Sequence, residues 1–506
     1  MAAVAINRAA KSGPALSAAV LGIFLCCSGP APRADGLAQI EHIVVVYPEN
    51  RSFDHMYGMF PGANGVAIAT PEQKTQLDHD GTPLPHLPSI YLRDSKTNAR
   101  VELKLPNGPF RVDAPPINWR MDQFLPSPIH SYYHNIEQIN GGRNDRFVAM
   151  TTAGAWTMAY FDGSGMNMWR WARDYVLADN FFQAAFGGSL LNHLWLVCAC
   201  TPVFPDAPAA MRAQPDETGK LKMHPASPES VLDGPAQLFD GPVTPDGYAV
   251  NNVQPAYQPS GYAPASGGDF AYADPAKNPL PPQTKKTIGD TLSAKGVSWA
   301  WYAGGWNRAL ADGRRAPTER RTVIYSREGD SPIFQAHHQP FNYFARFAPG
   351  SQDRTRHLRD GEEFFDAIAK GALPRVAFYK PAGRLNQHPS YTDMQSGDAH
   401  LAELLERLRK SPQWPKMAVI VTYDENGGYW DHVAPPAGPG WGDRWGPGTR
   451  VPAIIVSPFA RRGYVDHTAY DTTSILKFIT KRFDLEPLPG VRANMGDLTN
   501  AFDLAR

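Results

Sequence analysis

Residues 418–432, Ala418-Val-Ile-Val-Thr-Tyr-Asp-Glu-Asn-Gly-Gly-Tyr-Trp-Asp-His432, decide how the chain is read. The stretch opens within an apolar run, Met417 to Thr422, bounded by Pro415 and the Gly427-Gly428 pair. A short Val- and Ile-rich run of this kind reads as a strand buried on both faces. Asp424 and Glu425 stand side by side where the run stops. Asp, Asn and Gly favour turns on their own account, so a solvated turn is the plain alternative. The other reading is a ligand site, because open α/β sheets bind at the carboxyl ends of their strands.

A second copy of the pattern favours the ligand site. Glu41-His-Ile-Val-Val-Val-Tyr-Pro-Glu-Asn50 is again a β-branched run, closed by Pro48 and followed by Glu49 and Asn50. If the two strands are neighbours in one parallel sheet, Glu49, Asn50, Asp424 and Glu425 converge. Three carboxylates and a neutral carbonyl suit one hard or borderline divalent cation, whose identity the pattern leaves open.

Outward from these strands, Phe181 to Ala185 reads as a strand, Gly187-Gly188 as a tight turn, and Ser189 as the start of an apolar helix. A serine there is most often a helix cap. Beside a cation it is also a candidate nucleophile, with the helix amides available to phosphate. His130, His337, His338 and His388 are candidates for phosphate contact and proton transfer. His193, His432 and His467 read as satisfied histidines of the fold, with His432 close enough to the carboxylate strand to support its ligands.

Helix patterns at Ser52–Met59, Met166–Leu177, Ile288–Lys295, Asp360–Lys370, Ala399–Lys410 and Thr473–Arg482 alternate with strands at 297–303, 373–379 and 451–456. This order predicts a parallel α/β sheet with helices on both faces. Residues 304–356 read as irregular. Residues 201–285 hold 16 of the 48 prolines and read as an ordered, extended flap inserted in a single domain spanning 39–506.

The first 38 residues read as a secretory signal: Arg8 and Lys11, an apolar stretch from Ala15 to Cys27, and cleavage after Ala34 or Ala38. The expected location is the periplasm or the exterior, with no membrane span after signal removal. The charges balance, 49 basic against 49 acidic, so nothing points to nucleic acid. Beyond the signal only Cys198 and Cys200 remain. One residue apart, they are expected to be unbridged core cysteines. Oligomeric state is not legible.

Several of these segments together resemble the bacterial acid phosphatase / phospholipase C phosphoesterase family. They are Ile40 to Gly58, Phe186-Gly-Gly-Ser-Leu-Leu-Asn-His193, Phe334-Gln-Ala-His-His-Gln-Pro-Phe-Asn-Tyr343, Asn386-Gln-His-Pro-Ser-Tyr391 and Tyr423-Asp-Glu-Asn-Gly-Gly428. The resemblance implies an alkaline-phosphatase-like core and a small phosphate-ester substrate. It implies a metal held by Glu49, Asn50, Asp424 and Glu425 with Ser189 beside it as nucleophile. By the same resemblance His388 protonates the leaving group, His130 contacts phosphate, and His337 and His338 line the pocket. His134, four residues beyond His130, is the alternative for that position. The His-His and His-Pro segments point to the acid phosphatase branch, with a phospholipase C-type diesterase as the alternative. A sulfatase is disfavoured, since Cys200-Thr-Pro-Val-Phe204 has phenylalanine where that chemistry requires arginine.

Overall fold

The computed structural model describes residues 36–93 and 98–504. Its centre is an eight-stranded sheet: His42–Val46 (β1), Val176–Ala178 (β2), Trp299–Ala303 (β3), Leu358–Asp360 (β4), Val376–Lys380 (β5), Met417–Thr422 (β6), Ala453–Val456 (β7) and Tyr464–Asp466 (β8). The strand order is β8-β2-β7-β6-β1-β5-β3-β4, and only β7 runs against the others. The result is a mixed α/β fold with a mostly parallel central sheet.

The apolar runs form the middle of the sheet because they can be buried on both faces. β5 and β6 are buried at every position, and β1 at all but its first. In register, Val46 lies opposite Val421 on β6 and Tyr379 on β5. Glu49 and Asp424 each follow their matched valines by three residues, so they leave the sheet at one level. Lys380 ends the third strand beside them.

The helices that matter for the site are Phe53–Tyr57 (α1), Tyr132–Ile139 (α2), Ser189–Cys198 (α3), Met394–Lys410 (α4) and Thr472–Phe483 (α5). Ser52 caps α1 by accepting from the His55 amide, as its position predicts. The cap of α3 is Gly188, so Ser189 is the first helical residue and not the cap expected by default.

Several expectations need correction. The helix read over 166–177 ends at Asp174, and Val176 and Leu177 turn into β2. Residues 304–356 contain helices at Trp306–Gly313 and Gln352–His357. α4 begins at Met394, five residues before the predicted start, with Asp393 as its cap. Cys198 and Cys200 form a disulfide, because Ala199 adopts a left-handed conformation at the end of α3 and brings the two side chains together. The signal reading falls on residues outside the described part except 36–38. Those belong to the fold: Gly36–Gln39 is a 3-10 turn with Leu37 buried.

Residues 201–285 are mostly turns and irregular backbone, with 3-10 helices at Ala209–Met211 and Pro275–Lys277, and are tied by isolated bridges such as Val203 to Tyr248 and Met223 to Leu238. Val243, Ala249 and Val250 are buried in the main core. Among the described residues no helix is long and apolar enough to cross a membrane.

Below the sheet ends lies a buried ionic network. Arg450 Nε donates to Asp431 at 3.0 Å, its Nη2 donates to Asp54 at 3.2 Å, and its Nη1 donates to the carbonyls of Asn64 and Asp179. His432, expected to be structural, has Nδ1 2.6 Å from the other Asp54 oxygen and Nε2 3.0 Å from Asn64 Oδ1. The network fastens α1 to the loop after β6. Arg450→Ala removes the guanidinium, leaving buried Asp431 without its cation and Asp54 with His432 alone. It should cost about 3–5 kcal/mol, read as a lowered denaturation midpoint at constant slope. A loss below about 1 kcal/mol would show the network to be dispensable.

Candidate active site

The loops after β1 and β6 interlock. The Asp424 amide donates to Pro48 O, the Asn50 amide to Asp424 Oδ1 at 3.0 Å, and the Arg51 amide to Glu425 O. Asn50 holds a positive φ of 62°, which asparagine tolerates better than most residues. Gly427 has φ +65°, and a Cβ there would stand 2.5 Å from Asn50 O. Glycine is what lets the two loops come this close.

The structure brings together every residue expected at the metal. Glu49, Asn50, Asp424 and Glu425 are completely buried, and Ser189 nearly so. Ser189 Oγ donates to Glu425 Oε1 at 3.3 Å, and the other Glu425 oxygen accepts from the Gly427 amide. Asp424 Oδ1 accepts from the amides of Asn50 and Glu425. Asp424 Oδ2 and Asn50 Oδ1 are buried without a hydrogen-bond partner. Orphaned oxygens beside a carboxylate cluster fit a hard cation, which would take the lone pairs that nothing else uses.

Electrostatics agree with that assignment. Burial pushes Asp424 up to about 7, with Lys380 opposing and Glu49 adding to the rise. Burial and the charge of Asp424 drive Glu425 well above the usual carboxylate range. Burial acts on Glu49 in the same direction, but Lys380, His338 and His337 outweigh it and hold this carboxyl well below that range.

Glu49 is held on every side. Oε2 accepts from Asn386 Nδ2 at 2.8 Å and from Tyr391 OH at 2.9 Å. Oε1 lies 2.7 Å from Lys380 Nζ, 2.8 Å from His338 Nε2 and 3.5 Å from His337 Nε2. The Asn386–Tyr391 segment also carries His388, whose ring stacks on Tyr391 at 4.2 Å. His130 Nε2 lies 3.2 Å from Asn50 Nδ2 and 3.5 Å from Glu425 Oε1. His134, the alternative, instead packs at Ser131 and Asp240, away from the cluster. The rings of His130 and His388 are 6.2 Å apart and only half-buried, so they flank the entrance.

Three groups were missed by sequence reasoning. Lys380 is fully buried, although charged residues rarely are without a partner. His193 lies one turn after Ser189, donates Nδ1–H to Ser189 O at 2.7 Å, and joins Glu49 and Asp424 in a potential ligand group. Its spacing of four from Ser189 was the available signal. Arg51 donates to Gln387 O at 2.5 Å and so ties the first motif to the His388 segment.

Comparison with known proteins shows what the chain is similar to. A model of the Phosphoesterase family matches residues 40–486. Phospholipase C B of Mycobacterium tuberculosis (strain ATCC 25618 / H37Rv) is 25% identical over 546 residues, covering 97% of this chain and 84% of that protein. Non-hemolytic phospholipase C of Burkholderia pseudomallei is 27% identical over 516 residues, covering 94% of this chain and 61% of that one. Among solved structures, a protein in the alkaline phosphatase superfamily from Vibrio parahaemolyticus is 12% identical with a TM-score of 0.31, covering 73% of this chain and 67% of that one. The lipoteichoic acid synthase LtaP from Listeria monocytogenes is 7% identical with a TM-score of 0.35, covering 92% and 77%. The family match spans all eight strands of the central sheet together with the buried serine and carboxylates, and the chain belongs to the Phosphoesterase family, as a hydrolase acting on phosphoric ester bonds.

Proposed function

We propose that the chain is an exported, metal-dependent phosphomonoesterase of the acid phosphatase kind, with Ser189 as nucleophile. The observation that carries this reading is the Ser189 hydroxyl. It sits in the first turn of a buried helix, hydrogen-bonded to Glu425, above three buried carboxylates that share two orphaned oxygens with Asn50. Glu49, Asn50, Asp424, Glu425 and Ser189 would hold one divalent ion. When bound, such an ion supplies positive charge that favours the serine alkoxide and offsets charge on phosphorus.

The residues then divide the work. Ser189 Oγ gives its proton to Glu425 Oε1, to which it is hydrogen-bonded, and attacks phosphorus, forming a phosphoserine and breaking the bond to the ester oxygen. His388 passes a proton to that departing oxygen. Water next attacks the phosphoserine, freeing phosphate and restoring the hydroxyl. His130, His337 and His338 receive the terminal phosphate oxygens, aided by the first amides of α3.

One expectation changes. An ordinary histidine would carry the acid proton at mildly acidic pH, but burial pushes His388 down to about 3, with nearby Glu49 opposing the shift and His130 adding to it. The substrate monoanion, whose second ionisation lies near pH ~6, can bring the leaving-group proton itself. A monoester brings that proton and a diester does not. The second reading is a phospholipase C-type diesterase, favoured by the names of the curated relatives.

The function is tested with purified protein on simple monoesters, phosphocholine diesters and phosphatidylcholine. Monoesters should be the fastest, and Ser189→Ala should fold normally and fall to background on all of them. Faster turnover of a choline-bearing diester would select the second reading, and an active Ser189→Ala variant would remove the nucleophile.

The raised Asp424 has a consequence for metal binding. In the metal-free site its carboxyl is protonated below about pH 7, and a cation must displace that proton. Calorimetric affinity for Zn2+ or Mn2+ should therefore weaken as pH falls from 8 to 5, and Asp424→Asn should make the dependence shallower, with Glu425 retaining the rest. A pH-independent affinity in the wild type would contradict the assignment.

His388→Ala should slow an alkyl phosphate by about 10²–10⁴-fold and nitrophenyl phosphate far less, because nitrophenolate leaves without a proton. Equal losses on both substrates would make His388 a phosphate contact only.

A further inference from the structure

Lys380 ends β5 inside the site, fully buried. Its ammonium makes an ion pair with Glu49 Oε1 at 2.7 Å and sits 5.8 Å from the centre of the Tyr47 ring. Its charge is felt by Asp424, His193, His337 and His338 as well.

The ammonium stands among groups that would otherwise make a second metal site. Glu49, His337 and His338 offer ligand atoms within 4.8 Å of one another. The Nε2 atoms of His337 and His193 are buried without hydrogen-bond partners, and that of His338 faces Glu49 Oε1 at 2.8 Å. For His193 the proton must be on Nδ1, since Ser189 O can only accept. Its Nε2 therefore presents a lone pair. Imidazoles with one carboxylate are a zinc-type ligand set.

Charge explains why an ammonium stands there. The three buried carboxylates carry three negative charges if ionised. One divalent ion and one ammonium cancel them, which avoids an uncompensated buried charge. We propose that Lys380 is the second cation of this site: a fixed ammonium in the place of a second metal ion, which sets the stoichiometry at one divalent ion per chain. Lys380 is a positioning residue in this account, because it orients Glu49 and does not touch the reacting atoms. The proposal rests on the metal reading above.

The test is the amount of metal held by the folded protein. Wild type, Lys380→Met and Lys380→Arg are stripped with chelator, loaded with Zn2+, desalted, and measured by plasma mass spectrometry and calorimetry, with circular dichroism as the check on folding. Wild type and Lys380→Arg should hold one ion per chain. Lys380→Met, which keeps the apolar stem, should hold two. The second ion should be lost when His337→Ala is added. One ion in Lys380→Met, with affinity within about threefold of wild type, overturns the proposal. If Lys380→Met folds only with metal, refolding should need two equivalents of Zn2+, and recovery with one overturns it equally. A wild type that takes up no metal would instead strike the metal reading itself.

Discussion

Three carboxylates buried at the ends of two neighbouring strands are the constraint on which this structure depends. Two like charges 4 Å apart repel by about 4 kcal/mol at an effective dielectric near 20, more than one ordinary hydrogen bond returns. Glu49, Asp424 and Glu425 therefore persist only with compensation from every direction. The backbone amides of Asn50, Glu425 and Gly427 supply part of it, and Lys380 and the histidine pair another part. The remainder is a negative, oxygen-lined space in which Asp424 Oδ2 and Asn50 Oδ1 stay unpaired.

The sheet delivers this arrangement through register alone. β1 lies between β5 and β6, so a three-residue overhang from matched valines brings Glu49 to the level of Asp424, with Lys380 beside them. Beneath them Arg450 clamps α1 and the loop after β6 through Asp54 and Asp431. Loops carry the ligands, but paired strands and a buried guanidinium fix where those loops begin and end.

The parts that were legible in the sequence share a physical cause. β1 and β6 are apolar runs with abrupt polar ends, so both the strands and the carboxylates that meet at their ends show directly. Ser189 shows because Gly187-Gly188 interrupts the pattern just before a helix. The entrance histidines carry no local signature, and only resemblance pointed to them. Lys380 was invisible because a lysine after an apolar strand ordinarily marks the return to solvent. The early start of α4 was hidden by Gly397, which looks like a helix breaker. It is glycine because a side chain there would collide with Gln387. The fate of Cys198 and Cys200 depended on the left-handed turn at Ala199, which cysteine spacing does not encode.

The central position of β1 also governs how the chain can reach its folded state. Its register partners begin at Val376 and Met417, while β1 itself ends at Val46. More than 300 residues must therefore be synthesised before either edge of this strand finds its neighbour, and pairings of such long range form slowly. Until then an uninterrupted Ile-Val-Val-Val segment has both edges open, a state that invites association between chains. No N-terminal fragment ending before β5 can complete the sheet or the carboxylate cluster, so a truncated product is inert as well as prone to aggregate.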